Sequence, residues 1–104
     1  MTTFDDKEKA AENKYVQDKE TEFKVHARAH KLLGLWAAGK MGLFGAAAEA
    51  YAASIVMADF TAPHHLFEKI RNDLLSNAVH ISDHDIHMEI HRLEHLARQQ
   101  VVGE

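Results

Sequence analysis

Pro63 is the only proline, and glycine stands only at positions 34, 39, 42, 45 and 103. Helix breakers are thus few and bunched, and the stretches between them are rich in Ala, Lys, Glu, Leu and Met with no period-two alternation. A chain of this kind predicts an all-α fold. At 104 residues it is one domain with a modest core. The absence of cysteine excludes a disulfide-stapled module, a thiolate zinc site and thiol chemistry. With 12 Lys and Arg against 16 Asp and Glu, there is no basic footprint for a nucleic acid. No apolar run reaches the roughly 18 residues of a membrane span. The N-terminal residues also lack the basic and apolar regions of a signal peptide, so a cytoplasmic protein is expected.

Four helical segments are predicted. The first spans about Phe4 to Met41, too long to be a core helix throughout. Val25, Ala29, Leu32 and Trp36 fall on one face. Traced back, that face meets Glu22, Asp18, Tyr15, Ala11, Glu8 and Phe4. Asp18 and Glu22 interrupt it, and burying them unpaired would cost several kcal/mol. The C-terminal half therefore joins the core, with Trp36 as its anchor. The first 18 residues are expected to form a flexible N-terminal arm, and residues 19–104 the bundle. Residues 1–24 hold seven acids and five Lys; pairs such as Asp5 with Lys9 add only about 0.2–0.5 kcal/mol each, and an isolated helix of this length is marginal.

Gly42 is placed as the left-handed cap of the first helix. A second helix follows from about Ala46 to Asp59 with Ala48, Tyr51, Ala52 and Ile55 inward. Its two alanines permit close approach of a neighbour. Thr61 or Ala62 is expected to cap a third helix that opens on Pro63 and buries Leu66, Phe67, Ile70 and Leu74. Ser82, with Asp85 three residues on, caps a fourth with Ile86, Ile90, Leu93 and Ala97 inward.

Nine histidines are many for this length. His84, His87, His91 and His95 form one stripe, nearly opposite the core stripe of the fourth helix. The plainer reading is a solvated face. The alternatives are pH sensing and weak, two-coordinate capture of Zn, Ni or Cu by the pairs among His87, His91 and His95. A selective site needs more ligands, so neither a metal nor a cofactor is expected. No Glu has His three residues later, which excludes a carboxylate-bridged di-metal bundle, and no phosphate loop or activated serine is present. Lys24, Arg28 and Lys31 make a small basic face, read as solvated or as a weak contact for phosphate or adenine nucleotide. Phe4, Ala11 and Tyr15 give the arm an apolar stripe cut off from the core, which suits a helix that folds into a partner's groove.

The residues Phe4-Asp5-Asp6-Lys7-Glu8-Lys9-Ala10, Phe23-Lys24, Lys31-Leu32-Leu33-Gly34-Leu35-Trp36-Ala37-Ala38, Leu43, Ala48-Glu49-Ala50-Tyr51-Ala52 and Asp59-Phe60 resemble, in order, the zeta inhibitor subunit of the alphaproteobacterial ATP synthase. The Leu-Leu-Gly-Leu-Trp-Ala-Ala stretch is the specific part; the later helices match more loosely. The resemblance implies a four-helix bundle with a mobile N-terminal arm, no enzymatic activity, and inhibition of ATP hydrolysis. The arm would enter an interface between alpha and beta subunits near the gamma stalk and block rotation, on a protein held peripherally at the inner membrane through the synthase. By resemblance the inhibitory contacts are Phe4, Asp5, Asp6, Lys7, Ala11 and Tyr15. Members of the family often carry an acid where Gly39 stands, so the first helix is expected to end early here. The histidine stripe and His64-His65 are not marks of the family, which leaves a histidine-rich metal- or pH-sensing helical module as the alternative reading.

Overall fold

A computed structural model describes residues 3–61 and 65–104, with side chains described for 19–59 and 65–104. Four helices follow one another: α1 (Thr3–Lys40), α2 (Gly45–Thr61), α3 (Leu66–Ser76) and α4 (Asp83–Val102). The described residues contain no strand. α1 is the central element. α2 packs along one side of it, α4 along another, and the short α3 closes the far end.

The helix ends explain the chain reversals. At the end of α1, Gly42 takes φ +81°, its N–H donates to the Gly39 carbonyl at 3.1 Å, and the Leu43 N–H donates to the Ala38 carbonyl at 2.8 Å. That is the Schellman pattern expected of Gly42. The early end expected at Gly39 does not occur: α1 continues through Lys40, because these paired carbonyls stabilise the last turn whatever the propensity of Gly39. α3 ends in the same way, but with Ala78 rather than glycine in the left-handed position, at φ 60°. There the Val79 N–H donates to the Leu74 carbonyl at 2.9 Å and the Ala78 N–H to the Leu75 carbonyl at 3.0 Å. Ser82 caps α4, its hydroxyl accepting from the Asp85 N–H at 3.1 Å.

One boundary differs from expectation. α3 begins at Leu66, after His65, and not at Pro63. Ala62 and Pro63 lie outside the described residues.

The core has two parts. The larger joins Leu33 and Ala37 of α1, Ile55 of α2, Ile70 and Leu74 of α3, and Ile86 and Leu93 of α4. The smaller holds Val25 and Ala29 against Ala97 and Val101, with Leu32 beside them. Later residues of α1 thus meet earlier residues of α4, and the two helices run in opposite directions. Most expected inward positions of α2, α3 and α4 are buried or partly buried. On α1 the expectation needs correction. Val25 and Ala29 are buried, but Leu33 and Ala37 form the centre of the face, while Leu32 and Trp36 are only half-buried at its edge. The reason is that α1 is covered from two sides at once, so its buried arc is wider and turned relative to a stripe facing one neighbour.

Gly34 sits at a close approach of α1 to α2. A Cβ built there would lie 2.6 Å from the Ala52 Cα and 3.1 Å from the Ala52 Cβ. The small residue on each helix permits the crossing.

Candidate interface at the exit of the first helix

Among the described side chains Val25 is the first buried residue of α1, and the helix itself begins at Thr3. The segment ahead of Val25 carries the expected arm. Phe4, Asp5, Asp6, Lys7, Ala11 and Tyr15 lie outside the residues whose side chains are described, as does the expected fraying of the first turns.

What the structure does describe is the rim through which α1 leaves the bundle. Arg98 of α4 meets Glu22 with two parallel contacts, Nη1 to Oε1 at 2.6 Å and Nη2 to Oε2 at 3.0 Å. This hydrogen bond holds the Glu22 carboxyl below its ordinary range. Glu22 therefore interrupts the apolar stripe because the stripe has reached the edge of the bundle, where an exposed arginine answers it. Six residues on, Arg28 donates to the Gln100 side chain at 3.0 Å and pairs with Glu104.

Lys31 reaches instead toward α2, with Glu49 at 4.0 Å. The basic face is thus shared between two neighbours. Even so, Lys24, Arg28 and Lys31 all line one open groove of about 270 Å³, together with Phe23, Val101 and Glu104. The presence of Glu104 in that groove, already paired with Arg28, opposes an anion there.

On the other side of Phe23 a smaller groove of about 200 Å³ is lined by His26, Ala27, His30, Val56 and Asp59. His30 is the most enclosed histidine of the described pairs: its side chain is 12% exposed and its Nδ1 lies 3.2 Å from Asp59 Oδ2. Burial lowers its pKa, outweighing the opposite pull of Asp59 and aided by His26. His26 is exposed and meets the His30 ring edge-on at 6.1 Å. Sequence reasoning set this pair aside because of its cationic neighbours on α1. It missed Asp59, which is brought across by the crossing at Gly34.

A second polar knot ties α2 to α3. The Tyr51 hydroxyl donates to Asp73 Oδ2 at 2.7 Å, and Lys69 Nζ donates to the same oxygen at 3.0 Å. Burial, with this hydrogen bond, pushes the Tyr51 phenol far up.

The histidine stripe of α4 is exposed, as expected, at His84, His87, His91 and His95, but His87 also lies against α3. His87 stacks flat on Phe67 of α3, the rings 4.1 Å apart and 2° from parallel. Among the described residues no group of three or more His, Asp or Glu is gathered in a way that could hold a metal ion. His87, His91 and His95 are accordingly left as pairs. No helix among the described residues is long and apolar enough to cross a membrane.

These features define a small subunit, all-helical among the described residues, whose first helix is much longer than the other three. The family model for ATPase inhibitor subunit zeta matches residues 1–100, and the chain belongs to that family. It is therefore a regulatory, non-catalytic protein of the ATP synthase. Nothing matches among curated proteins or solved structures.

Proposed function

We propose that residues 1–18 are the inhibitory arm and residues 19–104 the bundle that carries it. The arm folds into an interface between an alpha and a beta subunit of the synthase head, next to the gamma subunit, and blocks rotation in the direction of ATP hydrolysis. The protein then works in the cytoplasm, at the membrane face, through the enzyme it inhibits. The observation that carries this reading is the family match over residues 1–100, combined with an α1 that starts at Thr3, some twenty residues ahead of Val25, the first buried residue of α1 among the described side chains. A helix of that reach, about 30 Å at 1.5 Å per residue, is long enough to enter a groove while the bundle stays outside as a stop. Phe4 and Tyr15 are its aromatic anchors. Asp5, Asp6, Lys7 and Ala11 complete the contact, and the lysines steer the encounter.

The test is ATP hydrolysis by purified synthase heads, titrated with the full chain and with a chain lacking residues 1–15. Inhibition by the full chain alone supports the reading. Equal inhibition by both places the contact on the bundle and overturns it. Phe4→Ala or Tyr15→Ala should each weaken inhibition by about 1–4 kcal/mol where the residue is a hot spot.

A further inference from the structure

Phe23 of α1 and Met57 of α2 are 60% and 62% exposed, large apolar side chains that the core does not use. Three grooves meet around them. The groove lined by Phe23, Ala27 and Val56 shares Phe23 and Ala27 with the one toward Val101 and Glu104. It shares Val56 with a third, of about 390 Å³, that runs over Ala53 and Met57. Together they make one continuous surface across α1 and α2, and the small side chains of Ala27 and Ala53 permit close approach. The charged groups beside it largely answer one another. Arg28 pairs with Glu104, Lys31 lies 4.0 Å from Glu49, and His30 lies 3.2 Å from Asp59. Lys24, exposed at the edge, is the cation left over among the described residues. What this surface offers a partner is therefore apolar area more than charge.

Its place on the chain indicates the occupant. α1 runs from Thr3 to Lys40 as one helix, so Phe23 follows the end of the proposed arm by about 8 Å along the same axis. With the arm seated in the cleft of the head, that continuity holds this surface at the cleft's mouth. We propose that Phe23, Ala27, Ala53, Val56 and Met57 form a second contact with the synthase head, docking on an apolar patch beside the cleft that takes the arm. This rests on the inhibitory reading above and extends it. The bundle is then anchored at its edge, which divides the binding between arm and bundle and fixes the angle at which the arm enters. Covering the exposed part of Phe23 or Met57 strengthens association by about five- to twentyfold each.

The experiment reads ATP hydrolysis by purified synthase heads titrated with four proteins: the parent chain, Phe23→Ala combined with Met57→Ala, Phe44→Ala, and the chain lacking residues 1–15. Phe44 is 80% exposed and lines none of the three grooves, so it is the control. Far-UV circular dichroism run alongside shows that each variant is folded. The chain has no cysteine, so Ala53→Cys places a single thiol on the surface. Its rate of modification by a maleimide is followed by mass with and without heads, against Phe44→Cys. The expected result is at least a tenfold rise, on the order set by two such side chains, in the concentration of the double variant needed for half-inhibition. Phe44→Ala should inhibit as the parent does, and heads should slow labelling at position 53 but not at 44. A double variant that inhibits like the parent, while the chain lacking residues 1–15 does not inhibit, overturns the second contact and leaves the arm reading standing. Inhibition that survives loss of residues 1–15 but fails in the double variant supports the contact and overturns the arm reading. Labelling at position 53 unchanged by heads overturns the proposal. So does a parent chain that sediments as a dimer and a double variant that sediments as a monomer, which would assign the surface to a second copy.

Discussion

Gly34→Ala is the substitution on which helix propensity and packing disagree most sharply. In an exposed helix, Ala for Gly gains about 1 kcal/mol. Here the new Cβ would sit 2.6 Å from the Ala52 Cα and 3.3 Å from the Ile55 Cγ1. Ordinary carbon contacts are about 3.5–4.0 Å, so α1 and α2 must part by about 1 Å along the line of Leu33, Ala37, Ala52 and Ile55. Overpacking of this kind costs about 1–3 kcal/mol. The closest atom is backbone and cannot rotate away, so the upper part of that range applies. The net loss is then about 1–2 kcal/mol, a fall in Tm of roughly 5–15 °C for a domain this small. Gly39→Ala is the control: a Cβ there meets nothing within 4 Å, and it should raise stability by up to about 1 kcal/mol. Thermal unfolding of both variants by circular dichroism decides the matter. The double variant with Ala52→Gly should not recover stability, since the Ala52 Cα remains. A Gly34→Ala protein that melts at or above the parent temperature would refute the close crossing. Full rescue by Ala52→Gly would show that the contact lies between side chains.

Other perturbations follow from single sites. Ala78→Gly should stabilise by about 1 kcal/mol, because the left-handed cap at φ 60° strains a Cβ. The gain is partly offset by the freer unfolded chain, and urea unfolding measures the balance. The lowered pKa of His30 means that, below the ordinary imidazole value near 6.5, the unfolded chain binds more protons than the folded one. Stability therefore rises with pH through that window and is lost as pH falls below it. The urea midpoint should drop between about pH 7.5 and 5.5, and His30→Asn should flatten that dependence; an unchanged slope would count against it. Leu33→Ala, at a side chain 1% exposed, should cost about 2–5 kcal/mol in the same assay.

The parts of this fold that were legible in the sequence are those governed by local rules. Gly42 and Ser82 announce their caps, because only a residue free to take positive φ, or one with a hydroxyl at the right offset, does the work there. The inward faces of α3 and α4 follow from the 3.6 period. On α1 the same rule picked Leu32 and Trp36 over Leu33 and Ala37, because a helical wheel assumes one neighbour and α1 has two. The pairs His30–Asp59 and Tyr51–Asp73 join residues on different helices, so they depend on a crossing that no local spacing encodes. Ala78 gave no signal, since alanine is not a residue that marks a left-handed cap. Glu22 was legible as a break in the stripe, but its partner Arg98 was not. The proposed arm rests on the sequence pattern of an apolar stripe interrupted before the core, and its proposed inhibitory role on resemblance.

The two parts of the core are unequal, and the difference falls where α1 leaves the bundle. The larger part contains Leu33, Ile55, Ile70, Leu74, Ile86 and Leu93; the smaller relies on two valines and two alanines with Leu32 beside them. Each buried methylene is worth about 0.8 kcal/mol, so far less hydrophobic stabilisation holds Val25 and Ala29 to α4 than holds Leu33 and Ala37. The ion pairs at that rim, Glu22 with Arg98 and Arg28 with Glu104, are exposed and contribute register more than stability. That end of the bundle should open before the rest. Hydrogen exchange should then show amides of residues 25–29 and 97–101 protected less than those of 33–37 and 89–93, and equal protection at both ends would refute the argument. Under the proposed inhibition, this places the softest packing directly behind the arm. The first bundled turns of α1 can then adjust when the arm is seated, while the larger core keeps the bundle intact as the stop.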